Sequence, residues 1–65
     1  MELGQAIRQA RQAAGLSQKQ LCGDRITRNM LSQIEHGAAS PSVATLRYLA
    51  ERLGVRVSAL LGEEP

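Results

Sequence analysis

Aromatic residues are almost missing from this 65-residue chain: Tyr48 stands alone, with no Phe and no Trp. A core without large rings must be filled by Leu, Ile, Val, Ala and Met, which suits helices packed on helices and points to an all-α fold. Cysteine is nearly absent too. The single Cys22 excludes an internal disulfide and fits a reducing compartment. One His and one Cys cannot supply the ligands of an ordinary zinc site, and no glycine-rich phosphate loop follows a strand pattern, so neither metal nor cofactor is expected. A Cys22 and His36 dyad is the remaining nucleophilic arrangement, and a bundle this small offers it little room for a pocket. The function is therefore not expected to be enzymatic. Long apolar runs are lacking as well. The opening "MELGQAIRQARQAAG" holds none long enough for a signal peptide or membrane span, so a soluble, cytoplasmic protein with no membrane contact is expected.

What is present is one small domain, expected to span residues 1–65, with a thin core. A chain of this size buries only about 60% of its unfolded surface. Its net charge of +2 is modest, but the charges are uneven. Residues 8–28 carry five cations (Arg8, Arg11, Lys19, Arg25 and Arg28) against Asp24, whereas residues 47–65 balance Arg47, Arg52 and Arg56 against Glu51, Glu63 and Glu64. Charge alone leaves a solvated surface and a phosphate-facing patch equally open.

Glycines punctuate the pattern. Gly15, Gly37, Gly54 and Gly62 each fall where a helical run ends, the place for a left-handed C-terminal turn. Ser17 can cap a helix over 18–22, with Gln20 completing a capping box and Leu16 placed to staple against Leu21. Thr27 repeats the arrangement with Ile26 and Leu31. Ser42 is one candidate cap for a fourth helix, and Ser40 with Pro41 as first helical residue is the other. Helices are predicted at about 2–14, 18–22, 28–36, 43–53 and 57–61, with no strand between them. The closing "GEEP" is a place where a longer protein would have been cut.

Helical period places Leu3, Ile7, Ala10 and Ala14 in one stripe, and Val43, Leu46, Leu49, Ala50 and Leu53 in another. On the third helix, Met30, Leu31 and Ile34 fall on one arc, opposite Arg28, Asn29, Ser32, Gln33 and His36. A very short capped helix, a turn and a second capped helix with such a polar face form the helix-turn-helix arrangement, in which the second helix enters the DNA major groove. The side chains suit that use. Arg can bond guanine O6 and N7, and Asn or Gln can pair with adenine N6 and N7.

The segments "IRQARQAAGLSQKQL", "TRNMLSQIEHG", "SPSVATLRYLAERLGV" and "VSALL", in this order and spacing, make the chain resemble the lambda-repressor/Cro type of helix-turn-helix family, also called the xenobiotic-response-element family. The resemblance covers nearly all of the chain. It implies a compact five-helix bundle with helix-turn-helix in helices 2 and 3, a partner in double-stranded operator DNA, and a homodimer on that DNA. A transcriptional regulator, in the main a repressor, is the function implied. Base reading is carried over to Arg28, Asn29 and Gln33, with Ser32 nearby, and phosphate contact to Gln18, assisted by Ser17 and Lys19, and to His36. Gln18 also begins a helix, whose backbone N–H groups favour an anion. The resemblance pairs Arg11 with Glu35, which would neutralise an acid that otherwise repels phosphate. Dimer contacts are suggested at Val55, Val57, Leu60 or Leu61.

Three departures stand out. "LCGDRI" reads as one residue shorter than the family's turn, with Gly23 early; "AAS" follows Gly37 where relatives carry a cation; and Cys22 replaces a usual Ala, as a buried packing thiol or, less simply, a redox sensor. The rival function is a protein-interaction or antitoxin-like module that keeps the fold without operator recognition.

Overall fold

A computed structural model describes residues 3–63 of the chain. Five helices follow in order: α1 (Leu3–Ala13), α2 (Gln18–Cys22), α3 (Arg28–Glu35), α4 (Val43–Leu53) and α5 (Val57–Leu60), with no strand among the described residues. The expected start of α1 at residue 2 and the last two residues of "GEEP" lie outside them.

Side chains next to the starts of α2, α3 and α4 decide where each begins. Ser17 Oγ accepts from the Gln20 amide at 3.1 Å while Gln20 Oε1 accepts from the Ser17 amide at 2.8 Å, a complete capping box. Thr27 Oγ1 accepts from the Met30 amide at 3.0 Å. This cap has no reciprocal half, because Met30 stands where a Glu or Gln would reach back. Ser42, not Ser40, caps α4, accepting from the Thr45 amide at 3.1 Å. No side chain caps α5. At the other end of α4, Gly54 takes φ 73°, a left-handed turn that lets the following amide, of Val55, donate to the Ala50 carbonyl at 3.0 Å.

The core draws at least one side chain from every helix: Ile7, Leu21, Leu31, Ile34 and Leu49 are fully buried, joined by Ala6, Cys22, Ala50, Leu53 and Leu60. α1 packs on α3, α4 and α5, and α2 packs on α3 and α4. Two expected stripes need correction. Ala14 lies beyond the last residue of α1 and is exposed, and Val43, as the first residue of α4, projects past the neighbouring helices and is 71% exposed. Leu3, Ala10 and Leu46 are half-buried. On α3, Met30 is 42% exposed, because the inward arc is completed by Glu35 rather than by Met30. At about 100° per residue, Leu31 lies between Ile34 and Glu35, and Met30 falls roughly a quarter-turn away. Of the residues suggested for dimer contacts, Leu60 is buried, Val57 is half-buried, and Val55 and Leu61 are exposed.

Two glycines hold backbone contacts that no other residue would permit. Gly4 is buried within α1 against the end of α3: a Cβ there would overlap the Ile34 carbonyl oxygen and lie 2.9 Å from that of Glu35. Gly23 ends α2 with φ 56°, and a Cβ on it would lie 2.5 Å from the Tyr48 hydroxyl. That hydroxyl donates to the Cys22 carbonyl at 2.9 Å. The Arg25 guanidinium sits over the Tyr48 ring, 5.4 Å from its centroid, and the Arg52 guanidinium donates to the Gln20 carbonyl. Side chains of α4 and the turn thus hold the C-terminal end of α2, and the short turn is fixed from outside its own sequence.

Candidate nucleic-acid interface

α3 is set into the bundle from one side only. Leu31 and Ile34 anchor it in the core, and Glu35, with its side chain 2% exposed, binds it to the two preceding helices. Arg11 of α1 grips that carboxylate with two donors, Nε to Oε2 at 2.7 Å and Nη2 to Oε1 at 3.2 Å. Gln18 of α2 adds a third, Nε2 to Oε1 at 3.2 Å. The remaining Arg11 nitrogen, Nη1, donates to the Leu16 carbonyl at 3.1 Å. A buried carboxylate is tolerated only when paired and hydrogen-bonded, and here both conditions hold. The expected Arg11 and Glu35 pair is therefore present, and Arg11 is committed to it.

The rest of α3 faces outward. Arg28, Asn29 and Gln33, expected to read bases, are exposed, and Ser32 is half-buried. An eight-residue helix is about 12 Å long, and a major groove about 12 Å wide accepts its cross-section. At its end the exposed His36 Nδ1 lies 2.7 Å from the Ser32 carbonyl oxygen, so Nδ1 carries a proton there. Nε2 would then donate to a phosphate only when the ring is imidazolium, with both nitrogens protonated.

The expected phosphate contacts gather at the start of α2. Ser17 and Lys19 are exposed, and the Ser17 oxygen already serves as the cap. Gln18 is half-buried and spends one amide hydrogen on Glu35, leaving the other for an outside acceptor. Its side chain is thus oriented from within the protein, a link that sequence reasoning did not foresee. Arg8, counted among the five cations of residues 8–28, was given no contact of its own. It shares a surface recess with Gln5, Glu35, His36 and Gly37, adding a cation near the far end of α3, and its place one turn before Arg11 on α1 was the available signal.

Cys22 is 2% exposed, and burial, helped by the Glu35 charge, pushes its thiol up from the ordinary value of 9.0. That is the reverse of what activates a nucleophile, and His36 is bonded to Ser32. Cys22 is a packing thiol. Among the described residues, no helix is long and apolar enough to cross a membrane.

A helix-turn-helix family model matches residues 7–60. The chain is also similar to the immunity repressor protein of Bacillus phage phi105, with 40% identity over 65 residues, which covers 98% of the chain and 45% of that relative. The chain spans about half the length of this curated relative.

Proposed function

Because the chain belongs to the helix-turn-helix family, we propose that it is the DNA-binding domain of a transcriptional repressor, and that residues 28–36 dock in the major groove of operator DNA. One observation carries this reading: Arg28, Asn29 and Gln33 stand exposed on a helix that Leu31, Ile34 and a fully hydrogen-bonded Glu35 lock into the bundle. A rigid support is what hydrogen bonding to base edges requires, since misplacement of the donors forfeits discrimination. Arg28 would pair with guanine, Asn29 and Gln33 with adenine, and Ser32 would make a supporting contact. Gln18, Ser17, Lys19 and His36 would hold the phosphates on either side.

Two copies would read half-sites about 34 Å apart, one turn of duplex, in the cytoplasm where the DNA lies. Val55 and Leu61, exposed near the C-terminal end, are the apolar residues offered to a second copy. The similarity to a phage immunity repressor supports repression as the outcome of binding, and a further domain would then supply the remainder of the regulator.

The test is selection of preferred sites from random DNA by the purified chain, followed by titration of the chosen duplex against salt. Affinity is expected to fall steeply, and linearly in log-log form, as salt rises from about 50 to 200 mM. Gln18→Ala weakens binding to every duplex, whereas Arg28→Ala weakens binding to the selected one alone. A flat salt response with no selected sequence would overturn the reading in favour of a protein-interaction module.

A further inference from the structure

Among the exposed positions of α3, Met30 is the one apolar residue. It follows Asn29 and lies one helical turn before Gln33, so on the helix surface it borders the hydrogen-bonding row. The Thr27 cap on its own amide fixes the turn that carries it, and it lines a recess with Ile26, Thr27 and Pro41. A scattered apolar residue on a surface needs no explanation. One placed at the margin of a base-reading row has a chemical counterpart, because the major groove contains a single apolar feature, the C5-methyl of thymine. Arg, Asn and Gln answer the polar edges of guanine and adenine and leave that methyl unread. A long, unbranched thioether with three rotatable bonds can settle against it without demanding exact placement.

We propose that Met30 is a specificity-determining residue that recognises the methyl group of a thymine beside the bases contacted by Asn29 and Gln33. This rests on the major-groove reading above and adds thymine to the guanine and adenine it already assigns. The contact is complementary to hydrogen bonding: it rejects cytosine and uracil for lack of a methyl group, at no cost in unpaired polar atoms.

The experiment replaces each thymine of the selected duplex in turn by deoxyuridine, which removes the methyl and nothing else, and measures binding by the wild-type chain, Met30→Ala and Met30→Leu. Losing one methyl-sized apolar contact is worth about a fourfold loss of affinity. The expected result is one thymine per half-site at which the wild type and Met30→Leu lose about fourfold on replacement while Met30→Ala binds both duplexes equally. The Leu variant retains the apolar contact, so it keeps the comparison sound if Met30→Ala proves poorly folded. Failure of any thymine to show the effect, or a thymine-to-uracil ratio that persists in Met30→Ala, would overturn the assignment while leaving DNA binding intact. If the chain selects no sequence at all, the docking reading fails first and the Met30 contact with it.

Discussion

Replacing Gly4 by Ala separates two effects of opposite sign. In an isolated helix the change stabilises, by up to about 1 kcal/mol, because glycine is the poorer helix former. Here the added Cβ would overlap the Ile34 carbonyl oxygen and lie 2.9 Å from that of Glu35. Both obstacles are backbone, so no rotamer change relieves them. α1 and α3 must separate by at least about 0.5 Å to restore ordinary contact at Glu35, and interiors packed at crystal density resist that. The displacement would loosen Ile7 against Leu31 and Ile34 in the core and stretch the 2.7 Å Arg11–Glu35 bond. Overpacking of this kind costs about 3 kcal/mol at the upper end of the usual range, which leaves a net loss of about 2 kcal/mol. In a domain whose whole stability is roughly 3 to 10 kcal/mol that is a large part. The expected melting temperature, followed by far-UV circular dichroism, falls by about 8–16 °C. A melting temperature equal to or above that of the wild type would refute the close approach of α1 to α3, since helix propensity alone predicts a rise.

Arg11→Met strands the Glu35 carboxylate in a site 2% exposed, and urea denaturation should show a loss of about 3 kcal/mol, with the double variant Arg11→Met/Glu35→Leu recovering much of it. A loss below about 1 kcal/mol in the single variant would show that water already solvates the pair. Thr27→Ala removes the cap of α3 and should cost about 1 kcal/mol by the same measurement, together with weaker operator binding as the first turn of that helix frays; an unchanged stability would argue that water replaces the cap. Cys22 supplies a pH dependence. Its folded thiol ionises above the ordinary value of 9.0, so the unfolded chain loses its proton first. The stabilisation from keeping the thiol neutral is therefore complete below about pH 9 and is lost as pH rises through the folded value, by up to about 1.4 kcal/mol per pH unit. The stability difference between the wild type and Cys22→Ala should be level from pH 7 to 9 and shift against the wild type above it; a difference independent of pH to 10.5 would contradict the burial of the sulfur.

Local signals were the most legible part of the sequence. Ser17 with Gln20, Thr27 and Ser42 mark helix starts through atoms within three residues of each other, so the chain alone specifies them. The all-α five-helix fold follows from those marks. Directions around a helix were less secure. Periodicity assigns a face but not which neighbour closes it, which is why Met30, Val43 and Ala14 were expected inside and lie outside. Glu35 shows the converse: a charged residue is buried because Arg11, 24 positions earlier, meets it. The family resemblance proposed that pair; the apolar stripes read from helical period did not include either residue. Contacts between Tyr48 and the Gly23 turn join segments far apart in the chain and left no local trace. Gly4 did leave one. A glycine inside a helical run calls for a packing reason, and the backbone of α3 is that reason.

The lone phenol of this chain has an experimental use. With no indole to outshine it, ultraviolet emission originates from one ring, wedged where α4 meets the end of α2 and covered by the Arg25 guanidinium. Its surroundings include the hydroxyl-to-carbonyl bond that ties α4 to the end of α2, just before the turn into α3. Whether that end of α2 keeps its place in a variant or on DNA can therefore be read from the emission of the unlabelled protein.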